Sequence, residues 1–311
     1  MRRSSLVRLA LLALLWGSGF LWIKLALRGF SPVQIVLVRL TLGALVLAPI
    51  ALSRGMRFPT DRKTWGHLFV AALVANAIPY TLFGIAERTV GSNVAGVLNA
   101  TTPLWTVLVA YLAGTDRKVS VVRGVGLALG FAGTVLIFSP WRSAGDLASW
   151  GGLACLGASA SYGVSYVYMG RFLTGRGIQP IMLSASQLAA GAVLMALVLP
   201  FGGLVAPTWR LDAVGALVIL GVLGTGLAYV LNYRLIGDEG PTAASTTTYL
   251  LPVVAVILGA LVVHEHVTAS MIGGMVLVLG GVALVQRRHN PPVPTETAVK
   301  DEANDTADRG R

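Results

Sequence analysis

One stretch of the chain occurs twice, and a five-span unit surrounds each copy. Residues 91–116 read GSNVAGVLNATTPLWTVLVAYLAGTD, and residues 240–265 read GPTAASTTTYLLPVVAVILGALVVHE. At a constant offset of 149, Gly91 falls on Gly240, Ala95 on Ala244, Pro103 on Pro252, Val107 on Val256 and Asp116 on Glu265. Each copy is apolar, has a proline in its middle and ends on an acidic residue. A proline inside a helix removes one backbone hydrogen bond and crowds the carbonyl a turn earlier. In lipid such a defect survives only where protein or a wet cavity covers it. Matched, proline-interrupted spans therefore point to a substrate site between two halves, with Pro103 and Pro252 as bends beside it.

The rest of the chain fits a membrane. Of 311 residues, 55% are hydrophobic and 12% charged, too few charges for a soluble surface of this size. The apolar residues fall in blocks of about 20, enough to cross about 30 Å of hydrocarbon as helix. Ten spans are predicted, at residues 9–27, 33–52, 67–86, 93–113, 121–138, 151–170, 181–199, 213–233, 242–262 and 269–285. This is an all-α membrane protein. Residues 1–142 form the first five-helix repeat and 143–286 the second, and 287–311 form a polar, disordered cytoplasmic tail. An odd number of spans per repeat inserts the second copy upside down, so the repeat is inverted. The basic start resembles a signal peptide, but the apolar run is too long and lacks a clear cleavage site.

The net charge of +11 does not indicate nucleic acid, because most bases sit in short loops beside spans. With both termini cytoplasmic, the inner segments near the membrane hold 15 Lys and Arg and the outer segments five, the direction expected of cytoplasmic loops. Cys155 lies in an apolar span and says little about redox compartment.

Further correspondences extend the repeat. Gly126 and Gly133 fall on Gly274 and Gly281 at offset 148, each pair seven residues apart and so on one helix face for close packing. Pro32 and Arg39 fall on Pro180 and Gln187 at the same offset. Asn76, Tyr80, Phe83 and Glu87 share a helix face and fall on Thr225, Tyr229, Asn232 and Ile236 at offset 149. Ser31-Pro32 reads as an N-cap followed by a first-turn proline.

With those motifs in view, WGSGFLWIKLAL (16–27), SPVQIVLVR (31–39), the paired proline stretches and VLVLGGVAL (276–284) resemble the EamA family of the drug/metabolite transporter superfamily. The resemblance runs over nearly the whole chain. It implies ten helices in two repeats in the cytoplasmic membrane, moving small metabolites such as amino acids or drugs, with export the expected direction. Glu265 keeps the glutamate that the family pattern has after its proline helix, and Asp116 replaces it in the first repeat.

Polar side chains inside lipid usually face a bundle interior or cavity. The candidates for a solute-binding lining are Trp16, Lys24, Asn76, Tyr80, Asn99, Thr102, Tyr162, Tyr166, Tyr229, Asn232 and Thr248. For an individual Ser or Thr the plainer reading is an interhelical hydrogen bond, worth only about 0.6 kcal/mol on average. For the Asn and Tyr residues repeated near midspan the cavity is the better reading. Arg39 and Glu87 lie toward the outer side of the first repeat. Together with Lys24 they are read as an outer gate or a site for a substrate carboxylate, or more plainly as a structural Arg39–Glu87 ion pair with Lys24 snorkelling to the interface. No acidic residue falls at the middle of a span, which weakens proton antiport and leaves a coupling proton or ion open.

No enzyme signature emerges. His264-Glu265-His266 is not H-E-x-x-H, and neither a nucleophile elbow nor a P-loop is present. No cofactor or metal is expected. A secondary transporter leads, a flippase of a lipid-linked substrate comes second, and a membrane enzyme third. The partners are then a small-molecule substrate and membrane lipid.

Overall fold

The computed structural model describes residues 3–86, 90, 92–115, 120–139, 141, 149–262 and 267–286, and every regular element among them is helical. The first span is α1 (Arg3–Gly17) and α2 (Gly19–Ala26), parted at Ser18. Next comes α3 (Pro32–Ser53), where Ser31 is the N-cap that the Ser-Pro start led one to expect, and Gln34 bonds back to Ser31 N–H to make the cap reciprocal. The third span is α4 (Arg62–Ala72), a π-helical turn Leu73–Ala77, and α5 (Ile78–Ala86). Asp61 caps α4 through the backbone N–H of Thr64 at 2.7 Å, and these hydrogen bonds hold its carboxyl below the usual range.

The fourth span is α6 (Ser92–Asn99) and α7 (Thr102–Leu112), followed by α8 (Val121–Phe138). In the second half come α9 (Trp150–Phe172) and α10 (Pro180–Val198). Then follow α11 (Leu211–Gly221), a second π-helical turn Val222–Leu227, and α12 (Ala228–Glu239). Short α13 (Pro241–Ser245) leads to α14 (Thr247–Val262), and α15 (Ala269–Gln286) ends the bundle.

Among the described residues, nine helices are long and apolar enough to cross a membrane. The helix at the place of the expected sixth span, α9, has 23 residues and thus the length, but not the apolarity. Its serines, glycines and tyrosines dilute the aliphatic content, and buried neighbours rather than lipid surround much of it. Continuous helices were expected for the first, third and eighth spans; the structure breaks the first and inserts a π-turn in each of the other two.

The packing pairs reveal the symmetry. Equivalent helices meet directly, α8 against α15 and α3 against α10. The unlike pairs also come in twos. Helix α1 packs on α14 as α9 packs on α7, and α2 packs on α11 as α9 packs on α5. The two π-turns, Leu73–Ala77 and Val222–Leu227, start 149 residues apart. These relations are those of two copies of one unit facing each other, and the inner surfaces of both copies meet where the π-turns lie.

The α8–α15 seam depends on missing side chains. A Cβ on Gly126 would sit 2.7 Å from the Gly281 carbonyl oxygen, and one on Gly133 would sit 2.5 Å from that of Gly274. The glycines spaced by seven do share one face, and the backbones approach there as the spacing predicts.

Candidate functional site

Pro79 shapes the centre of the first repeat. It has no N–H, which removes the donor of one carbonyl, and the return from the π-turn to α-helix leaves a second one over, so Val74 O and Ala75 O are open to other donors. Both are satisfied by the other repeat: the Ser161 hydroxyl donates to Val74 O at 2.7 Å and the Tyr229 hydroxyl to Ala75 O at 3.2 Å. The same tyrosine oxygen accepts from Asn76 Nδ2 at 2.5 Å. Gln187 Nε2 donates to Asn76 Oδ1 at 3.1 Å, and the Tyr233 hydroxyl donates to Gln187 Oε1. Asn76, Gln187, Tyr229 and Tyr233 are all buried, so this chain of bonds ties the first π-turn to α10 and α12 in a low-dielectric interior.

A pseudo-symmetric bond crosses the other way. Arg39 Nε donates to Thr225 Oγ1 at 2.9 Å. Arg39 corresponds to Gln187 in the repeat, and Thr225 to Asn76. In each half, therefore, the polar residue of the second span reaches the π-turn of the opposite half. The first repeat does this with a cation and the second with a neutral amide. The Arg39 guanidinium also lies over the Tyr80 ring, 4.6 Å from its centroid.

Around these crossings lies a cavity of about 160 Å³, room for roughly five waters. Its wall includes Trp16, Tyr80, Asn99, Thr102, Tyr162, Tyr166, Tyr229, Asn232 and Thr248, all sequence candidates. Arg39, Phe83, Ser165 and Met169 complete the distinctive part of the lining, with aliphatic residues such as Leu15, Ile23, Leu220 and Leu251. The rings support one another: Tyr80 meets Tyr162 edge-on at 6.4 Å, Phe83 stacks near Tyr162 at 6.2 Å, and Trp16 meets Tyr229 edge-on at 6.4 Å. Two side-chain oxygens in the wall, Asn99 Oδ1 and Asn232 Oδ1, are buried without a hydrogen-bond partner. Unpaired buried acceptors are costly, so a donor from a bound molecule or water is favoured there.

The remaining candidates lie elsewhere. Asn76 is fully buried behind Tyr229, outside the cavity wall. Lys24 belongs to α2, but its side chain lies outside the described part, as does the whole of Glu87. The Arg39–Glu87 pair and the His264–His266 cluster accordingly fall outside the described residues. Pro103 stands in the first turn of α7, directly after a break at Ala100–Thr101, and Thr102 Oγ1 donates at 2.7 Å to Asn99 O, the carbonyl the proline leaves free. Pro252 lies inside α14, and the break in the helix comes six residues earlier at Thr246. There Ser245, Thr246, Thr247 and Thr248 each donate to the carbonyl three residues back, which tightens the turn independently of the proline.

The same pattern corrects the reading of the hydroxyls as interhelical links. Thr102, Thr106 and Thr248 bond within their own helical segments or across the adjoining break. Ser159 does bond across, to Leu98 O at 2.8 Å, while also contacting Cys155 O. Sequence reasoning passed over Pro79 and Ser161. The Ile78-Pro79 step ahead of Tyr80 was the available signal for the first, and a hydroxyl next to Tyr162 was only a faint one for the second.

Two related helical halves enclose a cavity lined by aromatic, polar and aliphatic residues at their interface, and the long apolar helices make this a polytopic membrane protein. The model of the EamA-like transporter family matches residues 4–139 and again 149–287, and the chain belongs to that family. It is a multi-pass membrane transporter. The chain is 26% identical over 301 residues, 95% of each chain, to the uncharacterized transporter YvbV of Bacillus subtilis (strain 168). It is 29% identical over 249 residues, 80% of this chain and 79% of the relative, to the uncharacterized inner membrane transporter YedA of Escherichia coli (strain K12). A crystal structure shares the fold with TM-score 0.77 and 21% identity, covering 93% of this chain and all of the other.

Proposed function

We propose that the protein carries a small amphipathic solute across the cytoplasmic membrane by alternating access, with the central cavity as the transport site. The cavity itself carries this reading: its polar wall is contributed by both repeats, at the place where their π-turns and crossing bonds meet. Rocking one half against the other about such a site would expose it to each side in turn. The aromatic faces suit an apolar body, and the polar groups orient it. Net direction then follows the solute gradient and any coupled ion.

The lining is tested through the two equivalent tyrosines. Comparing metabolites inside and outside cells with and without the gene identifies the solute moved. Tyr229→Ala should then remove most of that movement per molecule of folded protein, beyond any loss of abundance. Tyr80→Ala should do likewise, and Tyr80→Phe should keep more activity than Tyr80→Ala. Full transport by both alanine variants would reject the cavity as the transport site.

The bias in basic loop residues supports a topology with both termini in the cytoplasm. In a functional Cys155→Ala background, Leu204→Cys should react with an impermeant thiol reagent added outside the cell, and Arg57→Cys only after permeabilisation. The opposite pattern would invert the topology.

A further inference from the structure

We propose that Arg39 selects the charge of the solute: its guanidinium anchors an anionic oxygen group, while the free oxygens of Asn99 and Asn232 accept hydrogen bonds from a donor on the same molecule. This rests on the reading of the cavity as the transport site and gives that site a ligand chemistry.

The argument starts from the asymmetry of the repeat. The crossing bond of the second half is made by Gln187, whose amide is matched on both sides, to Asn76 and to Tyr233. The equivalent bond of the first half needs only one donor for Thr225, yet the residue present has five N–H donors and a fixed charge. Framework needs alone would be met by glutamine here too. Arg39 is only 7% exposed and lines the cavity. Among the described residues no carboxylate forms an ion pair with it. The Tyr80 ring offsets part of the charge, since the negative face of a desolvated aromatic ring attracts a cation. Burying an uncompensated charge costs more than that attraction offsets, which favours an anion beside it. Guanidinium presents its donors in a planar fork suited to carboxylate or phosphate oxygens.

The opposite chemistry sits in the same wall. Asn99 Oδ1 and Asn232 Oδ1 are buried acceptors without partners. They suit an ammonium, amide or hydroxyl donor. A molecule with an anionic end, a donor and an apolar body fits all three features. A purely cationic amphiphile meets like charge in a low-dielectric pocket and is disfavoured.

The test uses purified, full-length protein in detergent and three probes that share a phenyl group: 3-phenylpropanoate, phenylalanine and phenethylamine. Binding is read from the shift in unfolding temperature and from tryptophan fluorescence. The expected order is phenylalanine, then 3-phenylpropanoate, with phenethylamine at least about tenfold weaker than either, a difference of about 1.4 kcal/mol. Arg39→Gln restores the residue type that the other repeat uses at this place, so the bundle should fold. It should bring the propanoate and the amine to within about twofold of each other. Arg39→Lys should keep part of the discrimination, as a point charge without the fork. Asn232→Leu should remove the advantage of phenylalanine over the propanoate and leave the propanoate unchanged.

Equal binding of the amine and the propanoate by the wild type would overturn the anchor, as would undiminished discrimination in Arg39→Gln. Failure of both carboxylate probes to bind at millimolar concentration would count against it as well. A gain of about tenfold in propanoate binding on Glu87→Gln would show that this acid already occupies the guanidinium, and would also overturn it. These failures differ from failure of the cavity reading, in which probe binding would be indifferent to Tyr229→Ala.

Discussion

Leucine at Gly274 should prevent α8 and α15 from closing, and the variant should yield little folded protein. A Cβ at this position would stand 2.6 Å from the Gly133 carbonyl oxygen and 3.0 Å from the Ile137 backbone nitrogen. Both are backbone atoms of the facing helix and cannot turn aside as a side-chain tip would. The helices would have to separate along a seam whose other end, Gly126 against Gly281, is equally close. Overpacking of this kind costs about 1–3 kcal/mol or more for added methylenes, and leucine adds three carbons beyond the Cβ. Because lipid tails are as apolar as the helix surfaces, close van der Waals contact is what holds such a seam together. The unfolding temperature of whatever folds should drop by at least about 5 °C. Gly280→Leu is the internal control, since a Cβ there meets nothing within 4 Å. Equal unfolding temperatures for the two variants would show that the seam tolerates separation.

A comparable loss is expected from Asn76→Leu, through a different cause. Asn76 donates to the Tyr229 hydroxyl and accepts from Gln187, and none of these groups reaches water. Leucine leaves the Gln187 amide without an acceptor, at a cost of about 1–3 kcal/mol for an unmatched buried polar group. It also frees the Tyr229 ring, which forms part of the cavity wall. Stability should fall by about 2 kcal/mol and solute movement should fall with it. Gln187→Leu should cost a similar amount. The double variant Asn76→Leu/Gln187→Leu should be less destabilised than the sum by about 1 kcal/mol, because the second change removes a group already left unmatched. Strict additivity would mean that the two amides do not depend on each other.

The residues from which the cavity was anticipated illustrate how far pattern carries. Tyr80 and Tyr229 were legible because a repeat at offset 149 places equivalent residues around one axis, and aromatic residues near midspan have few other uses. Asn99 and Asn232 were legible because an amide in lipid needs a reason. The same rule placed Asn76 in the lining, where it failed: an amide can be satisfied by a neighbouring amide behind the wall just as well as by a solute in front of it. Arg39 was recognised as an intramembrane charge, but its height on the helix suggested an outer gate. Its long side chain reaches the π-turn of the other repeat, while Glu87, the other member of the gate reading, lies outside the described residues.

Amino-acid order alone determined the membrane environment, the helical class, the two related halves and the glycine seam. Each rests on composition or spacing within one segment, or on the correspondence between two segments. Only the tertiary structure decided where the helices break and which polar groups satisfy one another. Pro79 could have kinked, ended or π-bulged its helix, and the outcome turned on Ser161 and Tyr229 arriving from the opposite half to take its free carbonyls. Pro252 remained inside a continuous helix while a run of hydroxyls broke the chain at Thr246. The physical reason is the same in each case: a buried polar group accepts any partner of suitable geometry, and in this protein the deciding partners lie some 80 to 190 residues away along the chain.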